Sequence, residues 1–196
     1  MATIDRHATV ALLGGVALGA MDFAMQKLLP YPWANLANSS AVWAVLAFAM
    51  AYGLRESLLR SAGAAIVMLV VAVPAYYLTA TLVQHDDVAN LWTTTAILWM
   101  FFGVLAGAVF GVAAAWARDG GWRGVVGVAL PGAVLLAEAV RLARRDEPAT
   151  AIIEAVLAVA VVLLAGRTWR RRGLGAAVAV PLALLGFLGF QIGGFA

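Results

Sequence analysis

The chain has no cysteine, which excludes disulfides, thiolate metal sites and thiol catalysis. It has two histidines, His7 and His85. Both flank apolar runs and lie far apart, so no metal centre is expected. Charged residues make up 12% of the 196 positions, against about 25% in a soluble domain. Lysine occurs once, beside twelve arginines; with abundant Ala, Gly and Val, this usage points to a GC-rich bacterial genome. There is no G-x-S-x-G, no H-E-x-x-H and no phosphate-binding glycine loop. Ser39 and Ser40 have no histidine near them in sequence. No catalytic residue, metal or cofactor is therefore assigned. The net charge of +3 does not indicate nucleic acid, because the basic residues cluster at the ends of apolar runs.

Apolar residues are plentiful instead. They form 64% of the chain, and mean hydropathy is +0.95. Runs of about 18–25 residues recur, each long enough for a hydrocarbon core of roughly 30 Å. The expectation is an all-α, polytopic transmembrane bundle forming one integral membrane domain over residues 1–196. Seven spans are predicted, at about 8–29, 37–54, 62–84, 91–116, 124–143, 149–166 and 174–195. The second and sixth are short, and the count is six if either is re-entrant or lies on the surface. The first run is too long for a signal-peptide h-region, so no cleaved leader is expected.

Lys and Arg set the orientation. With the N-terminus inside, nine fall on inner segments: Arg6, Arg55, Arg60, Arg118, Arg123, Arg167, Arg170, Arg171 and Arg172. Four fall on outer segments: Lys27, Arg141, Arg144 and Arg145. The expected location is the inner (plasma) membrane, with a cytoplasmic N-terminus and the C-terminus outside.

Span 1 contains ALLGGVALGAMDFAMQ. Gly15, Gly19, Asp22 and Gln26 share one helical stripe, small below and polar above. Gly103, Gly107 and Gly111 repeat the spacing of four in span 4. Small residues let helices approach closely in lipid, so these five glycines are assigned to helix packing, within the chain or onto a partner. Pro74, Pro131 and Pro181 fall inside spans 3, 5 and 7 and should kink them.

Ionisable groups within a span are costly, by about 2.5–3.5 kcal/mol on insertion scales. Asp22, Glu138, Arg141 and Glu154 are such groups, and all fall toward the outer side. Gln26, Lys27, Asn35, Asn38, Tyr76, Tyr77, Trp92, Thr93 and Gln191 lie there too. The inner halves are nearly all Ala, Val, Leu and Gly. This asymmetry predicts a polar, aromatic-walled pocket open to the outside. Its expected lining is Asp22, Gln26, Asn35, Asn38, Tyr76, Tyr77, Trp92, Glu138 and Arg141. Plainer roles stand beside this one: Glu138 and Arg141 pair at i, i+3, Lys27 snorkels, and the Trp and Tyr form an interfacial belt. Asp22 has no basic residue at i±3 or i±4, so it needs a partner from another helix, a proton or a ligand.

The stretch LLPYPWANLANSSAVW joins spans 1 and 2. Asn38, Ser39 or Ser40 could cap span 2. Capping leaves Asn35 and two tryptophans unexplained, so the segment is expected to dip into the bundle and line the pocket.

LPYPWANLANSSAVWAVLAF resembles the signature of a family of bacterial integral membrane proteins known only as a domain of unknown function. AYYLTA, LWMFFGVLAGAVFGVAAAW and AEAVRL agree with it, and the likeness covers roughly residues 10 to 142. It implies a class but no mechanism. A fainter fold-level likeness is to the S-components of energy-coupling factor transporters, through Ala11, Gly15 and Gly19 and the polar outer half. Those proteins usually have six spans, bind a vitamin-like solute and dock on a coupling subunit.

Three functional readings follow. One is a protein that binds or transports a small solute, with partner membrane subunits or as a homo-oligomer. The second is a structural, assembly or regulatory membrane protein without a small ligand. The third is an intramembrane enzyme that pairs Asp22 with Glu138 or Glu154. The lipid bilayer is a partner in all three.

Overall fold

Small residues decide where these helices meet. A computed structural model describes residues 6–192 of the chain. It is all-α: α1 (Arg6–Leu28), α2 (Trp33–Ala37), α3 (Ser40–Leu54), α4 (Leu58–Gln84), α5 (Thr94–Trp116), α6 (Gly121–Ala143), α7 (Pro148–Ala165) and α8 (Trp169–Ile192). A 3-10 turn, Val88–Trp92, joins α4 to α5. Among the described residues, six helices are long and apolar enough to cross a membrane: α1 and α4 to α8. The protein is a multi-pass membrane helix bundle. The expected span 174–195 corresponds to α8; residues 193–195 lie outside the described residues.

The expected span 37–54 is the exception. Its helix, α3, has only 15 residues, about 22 Å at 1.5 Å per residue. Even so, it carries the chain from one end of the bundle to the other. Gly15 of α1 packs on Met68 and Val71 of α4, and Gly19 packs on Ala72 and Tyr76, so α1 and α4 run parallel. The chain between them must therefore return. Ser40, at the start of α3, lies on the same cleft as Asp22. Glu56, just past its end, pairs with His7 at 2.8 Å. From Asp22 back to His7 is 15 residues of α1, the same rise as α3. The last residue of the connecting segment, Ser39, thus sits below the top of α1 and is only 2% exposed. Tyr31 and Trp33 before it are about half exposed and α2 buries no residue, so the segment enters the bundle only at its end.

A helix shorter than the bilayer leaves its end groups at membrane depth, where unsatisfied N–H and C=O groups are expensive. Charged side chains from elsewhere in the chain, one on α6 and one in the turn after α5, satisfy both ends of α3. At its start, Glu138 of α6 accepts the Ala41 N–H at 2.7 Å, and the Ser39 hydroxyl accepts the Val42 N–H at 3.1 Å. At its end, Arg118 donates to the Ala51 carbonyl at 3.2 Å and to the carbonyls of Tyr52 and Glu56. The signs match the helix dipole: anion at the N-terminus, cation at the C-terminus. Burial pushes the Arg118 guanidinium below its ordinary pKa, but arginine stays charged. Arg171 donates to the Ala117 carbonyl at the end of α5, and Arg172 to the Gly166 carbonyl at the end of α7. Three arginines counted above as topology markers therefore also cap helices.

The glycine stripes pack within the chain. A Cβ on Gly107 would strike Ile66 and on Gly111 would strike Ala62, so α5 lies antiparallel against α4 at close range. Gly103 meets Leu69 in the same seam. The helix α6 is buried along most of its length, held between α7 and α8 by Gly132 on Val162 and Gly175 on Val128. Pro74, Pro131 and Pro181 lie inside α4, α6 and α8. The outward faces carry exposed Leu12, Leu13, Leu105, Leu164 and Leu185, a surface suited to acyl chains.

Candidate functional site

The polar groups gather at the end of the bundle where α1, α4 and α6 finish, and they form two separate clusters. The first lines a cleft of about 240 Å³ between α1, α3, α4 and α5. Its upper wall holds Asp22, Asn38, Ser40, Trp43, Tyr76, Tyr77 and Trp99; Leu69, Val73, Gly103 and Ala106 lie up to two turns deeper. Phe102 completes five aromatic walls. The rings brace one another edge to face: Tyr76 against Tyr77 at 5.5 Å, Trp99 against Phe102 at 6.0 Å, and Phe23 behind Tyr76 at 5.4 Å.

Asp22 is the charged residue in this lining and is 5% exposed. The i+4 spacing lets Gln26 donate to its carboxylate at 2.9 Å, and the Trp43 indole addresses the same group. Both partners are neutral. The nearby ammonium of Lys27 lies over the Phe23 ring, 5.7 Å from its centroid. Asp22 also borders a second, apolar groove between α1 and α3, walled by Met21, Met25, Leu46 and Met68.

The second cluster lies behind the start of α3. Glu138, 1% exposed, accepts the hydroxyls of Ser39 at 3.1 Å and Ser40 at 3.0 Å, besides the Ala41 N–H. It also forms an ion pair with Arg141, one helical turn on. Arg141 in turn lies over the Phe190 ring at 5.3 Å. Across from them, Thr150 and Glu154 share a face of α7 and are fully buried. The Ser39 hydroxyl faces both carboxyl groups, but its bond goes to Glu138. Neither carboxyl oxygen of Glu154 and no atom of the Thr150 hydroxyl finds a hydrogen-bond partner. Ser40 touches both clusters: it lines the cleft and donates to Glu138.

The expected pocket residues are thus divided. Asp22, Asn38, Tyr76 and Tyr77 line one cleft, with Gln26 bonded to its carboxylate. Glu138 and Arg141 do not join them, because the start of α3 stands between and uses Glu138 as its anion. Asn35 turns the other way and donates to Glu147, at the start of α7. Trp92 stands 75% exposed at the bundle end, as an interfacial residue does. The carboxyl groups that approach each other are Glu138 and Glu154, not Asp22 with either. Ser40 and Trp43 line the cleft from the segment expected to do so, while Trp99 and Phe102 were missed. A signal existed for those two, an aromatic pair at i, i+3.

A buried polar group without a partner destabilises by about 1–3 kcal/mol. Glu154→Leu keeps the volume and removes that group. It is expected to raise the unfolding temperature in detergent, and a lowered one would show that Glu154 has a stabilising partner.

Compared with known protein families, the chain matches one over residues 2–193. It belongs to DUF6518, a family of unknown function. The likeness seen in LPYPWANLANSSAVWAVLAF therefore extends over nearly the whole chain. No curated protein matches it. No solved structure matches it either.

Proposed function

We propose that this DUF6518 member binds a small solute in the cleft between α1, α3, α4 and α5. The observation that carries the reading is convergence. Asp22, Asn38, Ser40, Trp43, Tyr76 and Tyr77 come from three separate stretches of chain and meet on one open cavity. Mostly apolar and aromatic walls with a few oriented polar groups are the usual build of a small-molecule site. A helix that begins about level with Asp22, below the end of α1, supplies two of those groups, an arrangement tolerated at membrane depth where backbone lines a cavity. With the arginine-rich end in the cytoplasm of a plasma membrane, the cleft faces outward.

The second cluster favours a different role for its own residues. Glu138 is saturated by Ser39, Ser40, Ala41 and Arg141. It acts as the anchor of α3 and not as a ligand group.

Native mass spectrometry tests the binding reading. Protein released from several mild detergents is expected to carry an added small-molecule mass. Ala106→Phe, which fills the deep end of the cleft, should abolish it. Identical bare masses for both proteins in every detergent would refute solute binding.

A further inference from the structure

We infer that the cleft is built for an organic cation, specifically an alkylammonium group; this rests on the solute-binding reading and adds the class of solute. Three features of the cleft point the same way.

The first is charge. Asp22 is the charged side chain of the lining, and it is held by the Gln26 amide and the Trp43 indole, both neutral donors. These fix the orientation of the carboxylate without neutralising it. The exposed Asp86, near Tyr76, adds a second negative charge. None of the basic residues at this end lines the cleft: the Lys27 ammonium rests on Phe23, which stands behind Tyr76, Arg141 pairs with Glu138, and Arg144 lies over Phe187.

The second is the wall. Trp43, Tyr76, Tyr77, Trp99 and Phe102 surround the space beside Asp22. Aromatic faces attract a cation within about 6 Å, and several faces around one cation form the cage that recognises quaternary ammonium. An anion would be repelled by Asp22 and would gain nothing from the electron-rich ring faces.

The third is size. A space of about 240 Å³ falls just below the usual range of roughly 300–1,000 Å³ for ligand sites. It suits a head the size of trimethylammonium with a short arm. The apolar groove on the other side of Asp22, walled by Met21, Met25 and Met68, would accept a hydrocarbon tail. The same head chemistry therefore has two sources, a free amine or a lipid headgroup.

Radiolabelled choline is the probe, bound to the full chain in phosphatidylglycerol nanodiscs. Saturable binding is expected. Tetramethylammonium should compete, and 3,3-dimethyl-1-butanol, the uncharged carbon analogue of choline, should be weaker by about tenfold or more. Asp22→Asn should weaken choline by a similar factor. Trp99→Leu, on a half-open wall, should do so in a protein whose melting temperature is unchanged. Repeating the titration in phosphatidylcholine nanodiscs identifies the source. Loss of choline binding there assigns the site to the lipid headgroup, and undiminished binding assigns it to a free amine. Equal competition by the neutral analogue, or full choline binding by Asp22→Asn, would overturn the cation while leaving a solute site. No saturable binding of either cation would overturn it too, and with native spectra free of added mass the solute site falls as well.

Discussion

Replacing Glu138 by alanine is expected to destabilise the protein by about 3–5 kcal/mol, the range for removing one partner of a buried ion pair. Four interactions end on this carboxylate: the Arg141 guanidinium, the hydroxyls of Ser39 and Ser40, and the Ala41 N–H. Truncation removes the anion from the start of α3 and leaves Arg141, 15% exposed at its side chain, without its carboxylate. A double variant separates these effects. Glu138→Leu with Arg141→Leu removes both charges and should be less destabilised than Glu138→Ala alone, because an apolar pair of similar volume replaces a buried ion pair at little loss. Reversible unfolding in detergent, followed by far-ultraviolet circular dichroism, measures both. A loss under about 1 kcal/mol for Glu138→Ala would show that α3 does not depend on this anion. Because Ser40 bonds Glu138 and lines the cleft, choline binding should fall in Glu138→Ala more steeply than stability alone explains.

A second large effect is expected where α1 meets α4. A side chain on Gly19 would run into the Ala72 carbonyl and the Tyr76 backbone nitrogen. Neither can rotate away, as a flexible side chain could, so the helices must separate. Gly19→Val should lose about 3 kcal/mol, the upper part of the overpacking range. It should also disturb the cleft, since Asp22 lies one turn above Gly19 and Tyr76 forms the facing wall. Gly14→Ala is the matched control. There a Cβ would sit 3.7 Å from the Met68 sulfur, in ordinary contact, and the helix gains propensity from alanine. No loss of stability is expected for it. A large loss at both positions, or at neither, would show that close approach at Gly19 is not what holds α1.

The polar asymmetry of the sequence located one end of the molecule correctly, and the four-residue glycine spacing marked the seams α1–α4 and α4–α5. Periodicity could do this because a helix places i and i+4 on one face whatever it packs against. It could not show that Gln26 would serve Asp22 while Asn35 would turn to Glu147. Gln26 lies one turn from Asp22 and Asn35 in the segment after α1, where a contact with Glu147 at the start of α7 takes it away. The pair Glu138–Glu154 was equally hidden. The two residues were recognised as ionisable groups on neighbouring spans, with Glu154 close enough to the end of its span to reach the surface, but their approach depends on the rotation of α6 against α7.

The sequence by itself determined the class of this protein: an all-α membrane bundle, with its small residues in stripes. Those properties follow from transfer free energies and helical periodicity, which are local and nearly independent of context. Only the tertiary structure decided what the LLPYPWANLANSSAVW segment does. It turns the chain back at the end of the bundle and, from the buried Ser39, starts a helix too short for the bilayer. Glu138 of α6 and Arg118, in the turn after α5, then satisfy that helix at its two ends. A short helix is unfavourable in lipid on its own merits, and it becomes stable only when distant side chains meet its end groups. The cleft beside Asp22 exists because those contacts hold α3 where it is.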